Sequence, residues 1–418
     1  MIVCSYSSLS KAEEETLARN HRTLLRLCVI LAVFASLTQA AAVHRKKKLV
    51  RTLTARPVVK NFAFAPAGTA SSAKSSAQKA APAKPAASKT AAKRPGPWRA
   101  PNFADSTEGD ITNGEDAIAR QAAVGALGKL NGSVVVADAT SGRILSLVNQ
   151  KLALKSGFQP CSTIKVPVAL AALSETVVDR TTLIRLYGKT SMDMTQALAK
   201  SSNQYFASLG EKLGFERVSY YAKLFGLGEK ASNMDAEQPG LLPPATPKSG
   251  MGMMTSFGDG ITLTPLEYAA LMGAIANGGT LYYLQHPTTP EEAQSLQPQV
   301  KRHLEISDLI PEIKPGMMGA VAYGTARRIG FDPNEPIYGK TGTCTDTRSP
   351  THLGWFGSFT ETGDRKIVVV VLLTGGNAVS GPAAAGVAGQ VYKNLDAANY
   401  FARASAPETR PLAFGFAQ

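Results

Sequence analysis

Acidic residues are nearly missing from the first hundred positions, which hold 3 Asp/Glu against 18 Lys/Arg. Positions 101–418 hold 28 Asp/Glu and 27 Lys/Arg. The formal charge of +14 is therefore confined to an N-terminal arm. The rest of the chain has no basic excess with which to follow a phosphate backbone, and that excludes nucleic acid as a partner. Cysteine is equally sparse. Cys4 and Cys28 fall in the N-terminal segment, which leaves Cys161 and Cys344 for everything after it. Cys28 is not a lipoprotein site, because its apolar run follows it. Long apolar runs are lacking too. Residues 27–37 form the only one near the N-terminus, and it is shorter than the about 20 residues of a membrane-spanning helix. No internal repeat is present.

What is there begins with an export pattern. Arg19, Arg22 and Arg26 precede the apolar run, small residues continue it to Val43, and Ala40-Ala41-Ala42 supplies a small-residue site. This is the layout of a secretory signal, either cleaved or retained as a membrane anchor. The long tail before it favours retention. Arg45 and Lys46 to Lys48 follow it, so basic residues on both sides leave the charge rule for orientation undecided. We read residues 1–43 as an export signal or anchor and 44–100 as a linker. From 43 to 100 there are 14 Lys/Arg and no Asp/Glu, interleaved with Ala, Pro and Ser. Such a composition buries too little apolar surface to offset the entropy of ordering. Outside the cytoplasm it would meet anionic lipid or wall polymers, or act as a plain spacer.

Residues 101–130 read as a short lead-in, 131–405 as the folded domain and 406–418 as a tail. Ser133-Val134-Val135-Val136-Ala137 and residues 143–148 read as a hairpin around Asp138-Ala139-Thr140-Ser141-Gly142. Trp355-Phe356-Gly357-Ser358-Phe359 and residues 366–374 read as two more strands, joined by Thr362-Gly363-Asp364. A helix is expected over 382–404, with Pro382 near its start. Strands at both ends around a largely helical middle (about 162–280) predict an α+β fold, with one antiparallel sheet and a helical subdomain beside it.

Three short motifs carry the chemistry: Ser162-Thr163-Ile164-Lys165, Ser201-Ser202-Asn203 and Lys340-Thr341-Gly342-Thr343. Ser162 and Lys165, three apart on a helix, share a face. A lysine kept neutral by apolar surroundings can take the proton of a serine hydroxyl. Ser201 can relay a proton, and the Asn203 amide can hold Lys165 and a substrate amide. Lys340 to Thr343 read as an edge strand able to pair with an extended substrate. Gly342 permits close approach, and Lys340, Thr341 and Thr343 suit a carboxylate. The N–H groups of Ser162 and Thr343 would form an oxyanion hole. Taken singly, S-x-x-K is common by chance and S-x-N is more often a polar turn. K-T-G is much the rarer.

In this order the three motifs resemble the signature of penicillin-binding proteins and serine β-lactamases. Further segments resemble the penicillin-binding transpeptidases: Glu237-Gln238-Pro239-Gly240-Leu241-Leu242-Pro243, Met253 through Thr264-Pro265, Ala274-Ile275-Ala276-Asn277-Gly278-Gly279, and Trp355-Phe356-Gly357. The likeness covers roughly residues 130–400. It implies a five-stranded antiparallel sheet flanked by helices, with an all-helical subdomain. It also implies a serine D,D-transpeptidase or carboxypeptidase acting on peptidoglycan stem peptides ending in D-Ala-D-Ala. β-Lactams would acylate Ser162. The resemblance implies no cofactor and no metal, and a location in the cell envelope. Larger members carry a long module before the catalytic domain, which is not matched here.

In the fold so implied, Cys161 and Cys344 face each other across the site. An exported domain then favours a disulfide between them over two buried thiols. The same placement resembles class A carbapenemases. Two rival functions stay open. A β-lactamase of that class would need a glutamate base in an E-x-x-L-N motif, which is absent; Glu237 lies in the corresponding region. A non-catalytic β-lactam sensor or wall-binding protein would keep the fold and be acylated once or not at all.

Overall fold

A computed structural model describes residues 105–401 except 189, 331, 333–334, 349–350, 363–364 and 377–378. The stretches read as an export signal or anchor, a linker and a tail, and part of the turn expected at Thr362-Gly363-Asp364, lie outside the described residues.

Helix α1 (Ala117–Leu127) opens the fold, and the Asp116 carboxylate caps it by accepting the N–H groups of Ile118 and Ala119. Strands β1 (Gly132–Asp138) and β2 (Ile144–Val148) follow as a hairpin. A 3₁₀ turn, Cys161–Ile164, runs into α2 (Lys165–Ser174). Next come α3 (Met194–Ala199), α4 (Asn203–Leu224), α5 (Met251–Phe257), α6 (Pro265–Asn277) and α7 (Ile310–Ala322). Strands β3 (Ile337–Thr345), β4 (His352–Thr360) and β5 (Ile367–Gly375) then lead to α8 (Gly381–Ala397).

The five strands form one antiparallel sheet in the order β2-β1-β5-β4-β3. Strand β1 pairs with β5 along its whole length, Val134 opposite Val371. This joins the two ends of the domain around the helical middle. Both faces of the sheet are covered. Val135, Val370, Leu372 and Trp355 enter a core shared with α2, α4 and α6. Val134, Val369, Val371 and Phe356 enter a second core under α1 and α8. A strand buried on both faces reads as a continuous apolar run, which is why residues 367–373 carry no polar alternation.

Helix α8 stops at Ala397, short of the expected 404. Asn399 adopts a left-handed φ of 51° and the Tyr400 N–H donates back to the Leu395 carbonyl. That wraps the chain over the helix end. The helical middle extends beyond 280, through α7. No helix among the described residues is long and apolar enough to cross a membrane.

Candidate active site

The site lies where the turn before α2, the break between α3 and α4, and the edge strand β3 meet. Several contacts hold the turn. Phe158 exchanges both backbone hydrogen bonds with Leu263. That places the Met253–Pro265 stretch directly behind the turn; there Thr264 and Glu267 form a capping box at the start of α6. Gln159 is buried and linked three ways. Its side-chain amide donates to the Phe257 carbonyl, its side-chain oxygen accepts the Thr347 N–H, and its carbonyl accepts the Trp355 indole N–H.

Cys161 has a φ of 52°, in the left-handed region that residues with a Cβ avoid. Its sulfur is bonded to Cys344, with Cα atoms 5.6 Å apart. The disulfide is thus present, and the alternative of two free thiols falls. It ties the turn carrying Ser162 to strand β3. On that strand a Cβ added at Gly342 would lie 2.8 Å from the Pro160 carbonyl oxygen. Only glycine lets the strand come this close to the turn.

Between α3 and α4 the chain reverses. Ser201 takes a φ of 55° and the N–H of Ser202 donates to the Ala197 carbonyl, which closes α3. The Ser202 hydroxyl caps α4 by accepting the Tyr205 N–H. The reversal turns Ser201 and Asn203 toward α2.

Lys165 is at the centre and fully buried. Its Nζ lies 2.8 Å from Ser162 Oγ, 2.6 Å from Asn203 Oδ1, 3.0 Å from the Ser201 carbonyl and 3.2 Å from Ser201 Oγ. Lys340, also fully buried, places Nζ 2.9 Å from Ser201 Oγ and 3.0 Å from the Thr341 carbonyl. Burial, with the nearby Lys340 cation, pushes Lys165 down to about 6. Burial alone pushes Lys340 down to about 7. A neutral Lys165 has two protons and one lone pair. It can donate to Asn203 and the Ser201 carbonyl while its lone pair accepts the Ser162 hydroxyl proton. Ser201 Oγ bridges the two amines and can carry a proton between them.

The Thr341 and Thr343 hydroxyls sit on one face of β3. The first is 2.6 Å from the Thr325 hydroxyl and the second accepts the Gly381 N–H at 2.7 Å. Thr343 is exposed and Ser162 is 8% exposed, so the site opens to solvent beside the turn that carries Ser162.

Comparison with known proteins adds a family to this geometry. The model of the penicillin binding protein transpeptidase domain matches residues 132–395. The chain belongs to this family. Stage V sporulation protein D of Bacillus subtilis is 28% identical over 54% of this chain and 40% of its own length. Peptidoglycan D,D-transpeptidase MrdA of Haemophilus influenzae is 25% identical over 56% of this chain and 44% of its own. The crystal structure of Pseudomonas aeruginosa PBP2 in complex with WCK 5153 superposes with a TM-score of 0.57 at 25% identity, covering 68% of this chain and 75% of that one. The chain spans about four-tenths of the length of such curated relatives.

Within this transpeptidase domain, all the residues singled out from the three motifs gather at one place. Glu237 does something different. Its carboxylate is buried and accepts the Ala231 and Ser232 N–H groups and the Ser232 hydroxyl, so both oxygens are occupied in holding a loop. Glu267 likewise accepts the N–H groups of Thr264, Gly240 and Gly228, and burial raises it to about 7. Sequence reasoning passed over Gln159, Thr325 and Gly381. Each meets the site through long-range contacts, and no local pattern marks them.

Proposed function

We propose that this chain is a serine acyl-transferase that cleaves the terminal D-Ala-D-Ala bond of peptidoglycan stem peptides and is acylated by β-lactams. Ser162 is the nucleophile. Lys165 takes its proton, and Ser201, between the two lysines, passes a proton to the leaving amine. Asn203 fixes Lys165 by the 2.6 Å hydrogen bond. Lys340, Thr341 and Thr343 receive the terminal carboxylate, with Gly342 allowing the strand to lie against the turn. The N–H groups of Ser162 and Thr343 receive the oxyanion. The observation that carries this reading is the 2.8 Å contact between a fully buried, downshifted lysine and the Ser162 hydroxyl.

In the same proposal the domain works in the cell envelope. Residues 1–43 export it and hold it at the membrane, and the basic linker 44–100 contacts anionic lipid or wall polymers. The support here is the charge and apolar pattern of the sequence.

The test is a time course with a fluorescent penicillin, followed by mass spectrometry of the labelled peptide. A lasting label on Ser162 that Ser162→Ala abolishes is expected, together with D-Ala release from a pentapeptide ending in D-Ala-D-Ala. Rapid loss of label by hydrolysis would point to a β-lactamase. A lasting label without D-Ala release would point to a sensor. A label that survives Ser162→Ala would end the proposal.

A further inference from the structure

The two hydroxyls of the K-T-G-T strand each have a partner behind them, and the partners differ in kind. Thr343 Oγ1 accepts the Gly381 N–H, at 2.7 Å, from the first residue of α8. A backbone N–H can only donate. The Thr343 hydroxyl therefore spends a lone pair on α8 and keeps its own proton for another acceptor. Thr341 Oγ1 faces the Thr325 hydroxyl at 2.6 Å, and there either oxygen can be the donor. If Thr341 donates to Thr325, it presents a lone pair to a ligand. If Thr325 donates, Thr341 presents its proton. A carboxylate offers lone pairs only, so just the second arrangement receives it.

Thr325 is placed for this task by its surroundings. It follows the end of α7, and its N–H donates to the Ala199 carbonyl at 3.2 Å, two residues before Ser201. The next residue, Ala326, donates to the Ala320 carbonyl at 2.8 Å. Thr325 thus joins the segment carrying Ser201 to the strand carrying Lys340 and Thr341. Its hydroxyl touches Thr341, which is itself almost fully buried.

We infer that Thr325 is a positioning residue: by donating to Thr341 Oγ1 it fixes the Thr341 hydroxyl as a donor, so that the strand selects a ligand bearing an anionic carboxylate over its neutral counterpart. This rests on the acyl-transfer reading above. Thr325→Val keeps the side-chain shape and removes the donor. Thr341 is then free to rotate, and its proton is no longer held toward the ligand.

The experiment compares acylation of Ser162 by benzylpenicillin, a carboxylate, with acylation by its methyl ester, in the full chain and in Thr325→Val and Thr325→Ser. In Thr325→Val the second-order rate with the acid is expected to fall about tenfold, the worth of one hydrogen bond to a charged group, while the rate with the ester changes less than about twofold. Thr325→Ser, which restores the hydroxyl, should recover most of the acid rate. Reaction with the ester in the same variant reports that the site remains folded. An equal fall for acid and ester, or no fall for either, would overturn the inference and leave the acyl-transfer reading standing. Failure of the unaltered protein to label at Ser162 with either compound would remove both.

Discussion

The disulfide and the backbone at Cys161 make separable contributions, and one pair of variants separates them. Cys161→Ala/Cys344→Ala and Cys161→Gly/Cys344→Ala both lose the cross-link between residues 183 apart. On chain-entropy grounds a loop of that length is worth about 5 kcal/mol of constraint on the unfolded chain. Both variants should therefore lose roughly that much stability in urea, with a steeper dependence on denaturant because the unfolded chain expands further. Between the two, stability should differ by less than about 1 kcal/mol. Glycine relieves the about 1–2 kcal/mol that a left-handed φ costs a residue with a Cβ. It forfeits a similar amount through a lost buried methyl group and a more flexible unfolded chain. Activity should split them. Without the cross-link, alanine at 161 can relieve its φ of 52° by shifting the turn, and Ser162 would move with it. Glycine stays in place at no conformational cost. Acylation by a fluorescent penicillin, measured under native conditions, should stay within a few-fold of the unaltered protein for the glycine variant. It should drop about tenfold for the alanine variant, the kinetic equivalent of the φ penalty. If alanine acylates as fast as glycine, the turn is held by its other contacts and the reasoning about φ fails.

Three other outcomes follow from the buried lysines and the close strand. The acylation rate should rise with pH through about 6, as Lys165 loses its proton, and Lys340→Met should move that limb to higher pH by removing a neighbouring positive charge; a limb that does not move would show that Lys340 is not felt at Lys165. Stability should also increase with pH from about 6 toward 10.5, because the unfolded lysines bind protons that folded Lys165 and Lys340 release. A flat midpoint of thermal unfolding between pH 6 and 9 would contradict this. Gly342→Ala should cost about 1–3 kcal/mol in urea unfolding and slow acylation, since its Cβ would meet the Pro160 carbonyl at 2.8 Å. A variant of unchanged stability would show that the turn gives way freely.

Much of the fold was legible because its strands are apolar runs broken by turn residues. Residues 133–137 and 366–374 marked β1 and β5 within a residue or two of their observed ends. Their places at the two ends of the domain pointed to one shared antiparallel sheet, but not to which strand pairs with which, since nothing local makes Val134 choose Val371. The candidate site residues were legible where the proposed chemistry requires a rare residue type at a fixed spacing, as in Lys340-Thr341-Gly342-Thr343. Thr325 and Gln159 were not, because a threonine or glutamine becomes significant only through what distant segments bring to it. The early end of α8 escaped for a related reason. Residues 398–404 are good helix formers in part, and the left-handed turn at Asn399 carries no glycine to announce it.

The bond between Cys161 and Cys344 encloses α2 to α7 and most of β3 in a covalent ring, while β1, β2, β4 and β5 lie outside it. For Val134 to find Val371, a reduced chain must close a loop of more than two hundred residues. Through the ring the covalent path between them shortens to about fifty. The oxidised chain therefore has the connectivity of a small sheet domain carrying a helical insert. Its central strands meet with a far lower effective contact order, so refolding with the bond in place should be faster than refolding without it.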